Sequence, residues 1–311
     1  MHAIDDQSDH SDRPRLGRYP AARHVLAHLS DTHLLAGGAL LGGRVDTVAL
    51  LDRAVAQLAR LGTSIDAIVV TGDVADLGEP DAYRRARAAI APLVAATGAE
   101  LVWVMGNHDE RASFRAELLD EPPGDAPVHR SVTVDGLRII ALDVSVPGYH
   151  HGSVDDAALH WLATELAAPA ERGTVLALHH APIATPLAVM DVLELRGQDT
   201  LADVLAGTDV RLILGGHLHY PTNGEFAGIP VSVAGALAYT MDLSAPPREL
   251  VGVDGGQSCS VVHLFDDAAV TSVVPVGAHP VVTSFGAEFL AELEALDEAG
   301  RLERFGRKAG A

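Results

Sequence analysis

Five short polar motifs constrain this chain more than anything else in it. Asp31-Thr32-His33, Gly72-Asp73, Gly106-Asn107-His108-Asp109, His179-His180 and Gly216-His217-Leu218-His219 each follow an apolar, strand-like run. Two Asp, one Asn and three or four His suit two hard-to-borderline divalent or trivalent metal ions. A chain that ends five separate strands on such residues is built to hold metal.

Short runs rich in Val, Ile and Leu, bounded by Gly, Asp or Asn, predict buried strands at residues 25–30, 67–71, 101–105, 138–142, 174–178 and 211–214. Between them, residues 45–61, 79–97, 155–166 and 198–205 carry helical patterns, with Pro80 near the first position of the second. Strand–helix alternation predicts an α/β sheet with helices packed outside it. Residues 128–134 and 137–142 predict a hairpin about Asp135-Gly136. Further strands are expected at 224–227, 229–233, 260–265 and 269–274, so two sheets are needed. Residues 1–23 are polar and aperiodic and are expected to be disordered. Residues 24–282 form the expected catalytic domain. In the tail, 283–311, Phe285, Phe289, Leu293 and Leu296 mark one face of an expected amphipathic helix. Acids come early there and Arg301, Arg304, Arg307 and Lys308 late, an order that suits the helix dipole. Docking on its own domain or on a second subunit is favoured over a membrane anchor.

The 311 residues are 48% hydrophobic but only 4% aromatic, so the core must be aliphatic. A formal charge of -20 argues against a nucleic-acid polymer or an anionic membrane as partner. An anionic substrate is still admitted where metals reverse the local sign. The single cysteine, Cys259, excludes an internal disulfide, fits a reducing compartment and reads as a small buried hydrophobe. Residues 1–23 contain no apolar signal region, and no apolar stretch reaches the roughly 18 residues of a membrane span. A soluble, cytoplasmic protein is expected.

Asp31 and His33, spaced i, i+2 in an extended chain, point to one side and are assigned to a first metal. Asp73 is the expected bridge, because one carboxylate can serve two cations, and Gly72 turns the chain into it. Asn107 offers a neutral carbonyl oxygen to the second metal. His108 diverges from Asn107 and faces the substrate, to protonate a leaving oxygen or hold a phosphoryl oxygen. Asp109 either orients that imidazole or caps a helix beginning near Glu110. His179 and His217 are assigned to the second metal and His219 to the first, with His180 behind them or structural. His150 and His151, after Pro147-Gly148, border the substrate or a dimer seam, unless that loop has no role.

The order D-x-H, G-D, G-N-H-D, H, G-H-x-H resembles that of the calcineurin-like metallophosphoesterases. Within them residues 24–276 are most similar to the bacterial class III cyclic nucleotide phosphodiesterases, through stretches such as Leu29-Ser30-Asp31-Thr32-His33 and Gly215-Gly216-His217-Leu218-His219-Tyr220. The resemblance implies a four-layer α/β/β/α sandwich of two mixed β-sheets flanked by helices. It implies Asp31, His33, Asp73 and His219 on one metal, and Asp73, Asn107, His179 and His217 on the other, with His108 catalytic. It further implies iron and manganese (or zinc or cobalt) as cofactors, often a homodimer, and hydrolysis of 3′,5′- or 2′,3′-cyclic AMP by a metal-bound hydroxide. Asn107, His108, His150 and His219 are then the expected substrate contacts. A glycerophosphodiesterase or phosphomonoesterase would share this metal site, with substrate choice lying in loops 34–44, 146–152 and 183–198. An inactive scaffold of the same fold predicts missing ligands, and none is missing.

Overall fold

Alternating apolar positions in each central strand serve two different layers, and this decides the architecture. The computed structural model describes residues 16–308. Strands β1 (His24–Leu29), β2 (Ala67–Thr71) and β3 (Glu100–Val104) are parallel neighbours. Helices α1 (Thr47–Leu58) and α2 (Pro80–Thr97) make the crossovers, and α3 (Arg111–Leu118) follows β3. Strands β4 (Arg130–Val134) and β5 (Leu137–Ala141) form the expected hairpin, with Asp135 at φ 42° and Gly136 at φ 79° in its turn.

The second sheet then grows through β7 (Thr174–His180), β9 (Val210–Gly216), β10 (Thr222–Phe226) and β11 (Ile229–Val233), giving the order β10-β11-β9-β7-β5-β4. Helices α4 (Asp156–Glu165) and α5 (Gln198–Leu205) cover it. The chain finally returns to the first sheet as β14 (Ser258–Leu264) and β15 (Ala269–Pro275), giving the order β15-β14-β1-β2-β3. Two short ribbons were not anticipated from sequence. They pair β6 (Gly152–Ser153) with β8 (Leu195–Arg196), and β12 (Thr240–Met241) with β13 (Gly252–Val253). Two residues give too little pattern to read.

In β1, Val25, Ala27 and Leu29 pack under α1 and α2, while Leu26 faces the other sheet. Val69, Val102, Ile139, Val175 and Leu212 share that inter-sheet layer. Ile140, Leu176 and Ile213 face α4 and α5 through Leu162 and Leu201. The result is helices, sheet, sheet, helices: the expected four layers. Cys259 is buried, as expected, and burial pushes its thiol up to about 12.

Both ends refine the sequence reading. Residues 1–15 of the expected disordered segment lie outside the described residues. Residues 16–23 carry no helix or strand, but Arg23 already pairs with Asp266. The tail is not one helix. α6 (Ala287–Glu294) stops and α7 (Glu298–Arg301) restarts on the Asp297 cap, so the late cations fold back: Arg304 pairs with Glu292 and Arg301 donates to the Leu293 carbonyl. Phe285, Phe289 and Phe305 meet at 5.2–5.4 Å between ring centres. The basic residues thus neutralise acids directly rather than sitting at the end of one long dipole.

Leu26→Ala, in the inter-sheet layer, should lower the unfolding free energy by about 2–5 kcal/mol in urea. Val270→Ala, at 48% exposure on the edge strand β15, should stay within about 0.5 kcal/mol. Equal losses would contradict the layer assignment.

Candidate metal centre

The C-terminal ends of β1, β2, β3, β7 and β9 converge, and each delivers one of the five motifs. The loop after β1 zips onto the loop after β2: Asp31, His33 and Leu34 N–H donate to the carbonyls of Gly72, Asp73 and Val74. Asp31 and His33 do converge, but not because the chain is extended there. Their φ angles are 52° and 44°, and Asp73, His217 and His219 are also left-handed at 48°, 70° and 59°. Five non-glycine residues in that region at one place is strain concentrated at a site. Gly72, at φ 90°, makes the turn expected of it, and a Cβ there would come within 2.6 Å of His179 Nδ1.

Asp31 and Asp73 are buried to 0% and 2% exposure. Asp31 accepts the His217 backbone N–H, and Asp73 Oδ1 that of His108 at 2.8 Å. Asp73 Oδ2 lies 3.3 Å from His179 Nε2 and 3.6 Å from His33 Nε2, while Asp31 Oδ1 lies 3.4 Å from His219 Nε2. Three imidazoles are held from behind. His33 donates Nδ1–H to Asp76, His179 to the Thr71 carbonyl and His219 to the Tyr239 carbonyl, at 2.9, 2.6 and 3.0 Å. Anchoring Nδ1 fixes the tautomer and turns Nε2 inward, as in histidines that ligate metals. His33 and His219 then face each other, Nε2 to Nε2, at 3.1 Å. His179 Nε2, His217 Nε2 and Asn107 Oδ1 are buried without a hydrogen-bond partner. Buried polar atoms left unpaired in this way are costly unless a ligand completes them.

The electrostatics agree. Burial alone would raise both carboxyls, yet His219 holds Asp31, and His179 holds Asp73, below the ordinary range. Burial would lower His179, but Asp73 and Asp31 carry it up to about 9. Burial and the neighbouring His179 push His217 down to about 3. Burial lowers His33, whereas Asp31 outweighs burial and raises His219. Two buried groups, Asp31-His33-Asp73-His219 and Asp73-His179-His217, thus have the donor geometry for a cation, and Asp73 belongs to both.

His108 lies at the half-open rim with its Nδ1–H on the Asp76 carbonyl, 2.8 Å away. Asp109 neither orients His108 nor caps α3, whose cap position is Glu110. Its carboxylate accepts the N–H groups of Gly106, Val74 and Ala75, stapling the β2 and β3 loops together. Burial and the charge of Asp73 raise it to about 6 against those bonds. Asp76, not singled out in the sequence, is the residue behind both His33 and His108. A second acid three positions after Asp73 was its only signal. His150 reaches the rim: its Nδ1 accepts the Asn107 amide N–H at 2.9 Å, and its ring stands 5.1 Å from His108. His180 holds that loop through the His150 carbonyl, while the His151 ring packs against Tyr149. Tyr239, also unforeseen, packs its ring 4.3 Å from His219.

Comparison with known proteins accords with this geometry. The sequence profile of the calcineurin-like phosphoesterases matches residues 24–221. The chain is 53% identical to a cAMP/cGMP dual specificity phosphodiesterase of Mycobacterium tuberculosis, over 88% of this chain and 86% of that one. It is 36% identical to a 3′,5′-cyclic adenosine monophosphate phosphodiesterase of Pseudomonas aeruginosa, over 68% and 74%. Among solved structures, a purple acid phosphatase of yellow lupin superposes with a TM-score of 0.58 at 13% identity, over 83% of this chain and 52% of the lupin chain, a likeness of fold.

If the buried donors hold cations, Mn²⁺ must stabilise the fold. After chelation and dialysis, the melting temperature should rise with Mn²⁺ concentration, by the equivalent of about 2.7 kcal/mol at one hundred times the dissociation constant. A melting temperature indifferent to Mn²⁺ would contradict the assignment.

Proposed function

The chain belongs to the calcineurin-like phosphoesterase family, and from that premise we propose that it hydrolyses cyclic nucleotides, 3′,5′-cyclic AMP and also 2′,3′-cyclic AMP, at a centre of two metal ions. The observation that carries this reading is the set of imidazoles anchored at Nδ1 with Nε2 aimed at two buried carboxylates. Asp31, His33, Asp73 and His219 would hold one ion, and Asp73, Asn107, His179 and His217 the other. Asp73 Oδ2, lying between His33 and His179, supports its place as the shared ligand. Iron and manganese are the proposed pair, with zinc or cobalt as substitutes suited to the same nitrogen and oxygen donors. Bound there, the ions would polarise the phosphoryl oxygens and lower the pKa of water.

The protein's own groups do the rest. The Asn107 amide N–H is tied to His150, which leaves the buried, unpartnered Oδ1 as the atom that would serve the second ion. His108, tethered at Nδ1, presents Nε2 to pass a proton to the departing ribose oxygen. His150, 5.1 Å from His108, walls the substrate side. With a chain charge of -20, attraction of a small phosphodiester is local to the cations, and a polymer finds no basic track. Residues 24–282 are the proposed catalytic unit, 283–311 an appended tail, and a second copy of the chain the proposed partner. No described helix is long and apolar enough to cross a membrane, and a cytoplasmic place stays part of the proposal.

Parallel hydrolysis assays with Mn²⁺ test the substrate. Both cyclic AMP isomers should be cleaved, and Asp73→Ala should abolish this. Cleavage of p-nitrophenyl phosphate alone, or of glycerophosphodiesters in preference, would discard the cyclic nucleotide. His108→Ala should slow cyclic AMP turnover by about 10²–10⁴-fold but bis-p-nitrophenyl phosphate by less than about tenfold, since p-nitrophenolate leaves unprotonated. Equal losses would remove His108 from the acid role.

A further inference from the structure

Tyr239 is held with more care than a wall residue needs. The segment before it is pinned to the first metal motif, since Leu237 and Ala238 N–H donate to the Ser30 and Asp31 carbonyls. Its own carbonyl fixes the His219 tautomer. Its ring lies 4.3 Å from His219 and 6.2 Å from His33. On another edge sits Gly252, where a Cβ would come within 2.8 Å of Tyr239 Cδ2 and 3.0 Å of Cε2. The β12–β13 ribbon holds Gly252 in place, because Met241, two residues after Tyr239, pairs with it. Ring and backbone are therefore fixed, yet the hydroxyl has no hydrogen-bond partner among the described residues. The other tyrosines with covered rings are satisfied: Tyr83 accepts from Glu110 N–H and Tyr220 pairs with Thr185. The Tyr239 ring thus stands beside two of the proposed metal ligands, His219 and His33.

A clamped, half-buried phenol whose donor no protein group occupies is free to donate to a ligand, and a phosphodiester at the rim brings anionic oxygens to it. We propose that Tyr239 is a substrate contact, donating a hydrogen bond from its hydroxyl to a non-bridging phosphoryl oxygen. The proton stays on the phenol, and the bond strengthens as charge builds on that oxygen. This rests on the phosphodiesterase reading, but on the phosphoryl group rather than on the nucleoside.

The test is Tyr239→Phe in the full chain with Mn²⁺, assayed on 3′,5′-cyclic AMP and on bis-p-nitrophenyl phosphate, alongside melting temperature and bound manganese. The expected result is a loss of about tenfold or more in kcat/KM on both diesters, with melting temperature and manganese content as in the wild type. Activity within about twofold of the wild type on both would overturn the contact. A loss confined to cyclic AMP would overturn it too, because it would place the hydroxyl on the nucleoside. Failure of the substrate reading shows elsewhere, as a wild type that cleaves bis-p-nitrophenyl phosphate but not cyclic AMP. The Tyr239→Phe ratio on the former still decides.

Discussion

Asp31 and Asp73 are carboxylates almost without solvent contact, set at the ends of the neighbouring strands β1 and β2 of one aliphatic sheet. Taking a charge out of water costs several kcal/mol unless partners replace the lost solvation. Everything around them answers that cost. The backbone supplies N–H groups from His108 and His217, and three imidazoles supply nitrogens held at fixed tautomers. The acceptors that fix those tautomers come from two places: Thr71 and Asp76 from the end of β2 and the loop after it, and Tyr239 from the chain after β11 in the other sheet. The layered fold is what lets such distant segments meet.

The arrangement also stores strain. Left-handed backbone at Asp31, His33, Asp73, His217 and His219 costs of order 1–3 kcal/mol per residue. Bonds between loops hold it in place. The ladder from residues 31–34 to 72–74 and the three N–H groups gathered by Asp109 tie the motifs to each other rather than only to their own strands. Asp109 is thus a positioning group for the loops, and its place in the Gly106-Asn107-His108-Asp109 motif is explained without any contact to substrate.

Much of this was legible in the sequence. The aliphatic runs before each motif located five converging strands, and Asp135-Gly136 located the hairpin, because both signals are local. The donors were legible as residue types at strand ends. Their geometry was not: i, i+2 spacing brought Asp31 and His33 together for a different reason than extended backbone. Asp76 and Tyr239 were missed because their roles arise only when separate loops meet: the loop after β2 brings Asp76 behind His33 and His108, and the chain after β11 brings Tyr239 onto His219. The break of the tail at residues 295–297 was hidden behind an unbroken apolar face, since Phe285 and Phe289 serve a cluster with Phe305 rather than one long stripe.

In the proposed centre one carboxylate, Asp73, is shared between two cations. Calorimetric titration of the chelated protein with Mn²⁺ tests it most directly, with Asp73→Ala beside the wild type. Two ions per chain in the wild type, and loss of tight binding at both positions in the variant, is the predicted result. A single ion per chain in the wild type, or a variant that binds two ions as tightly as the wild type, would contradict it.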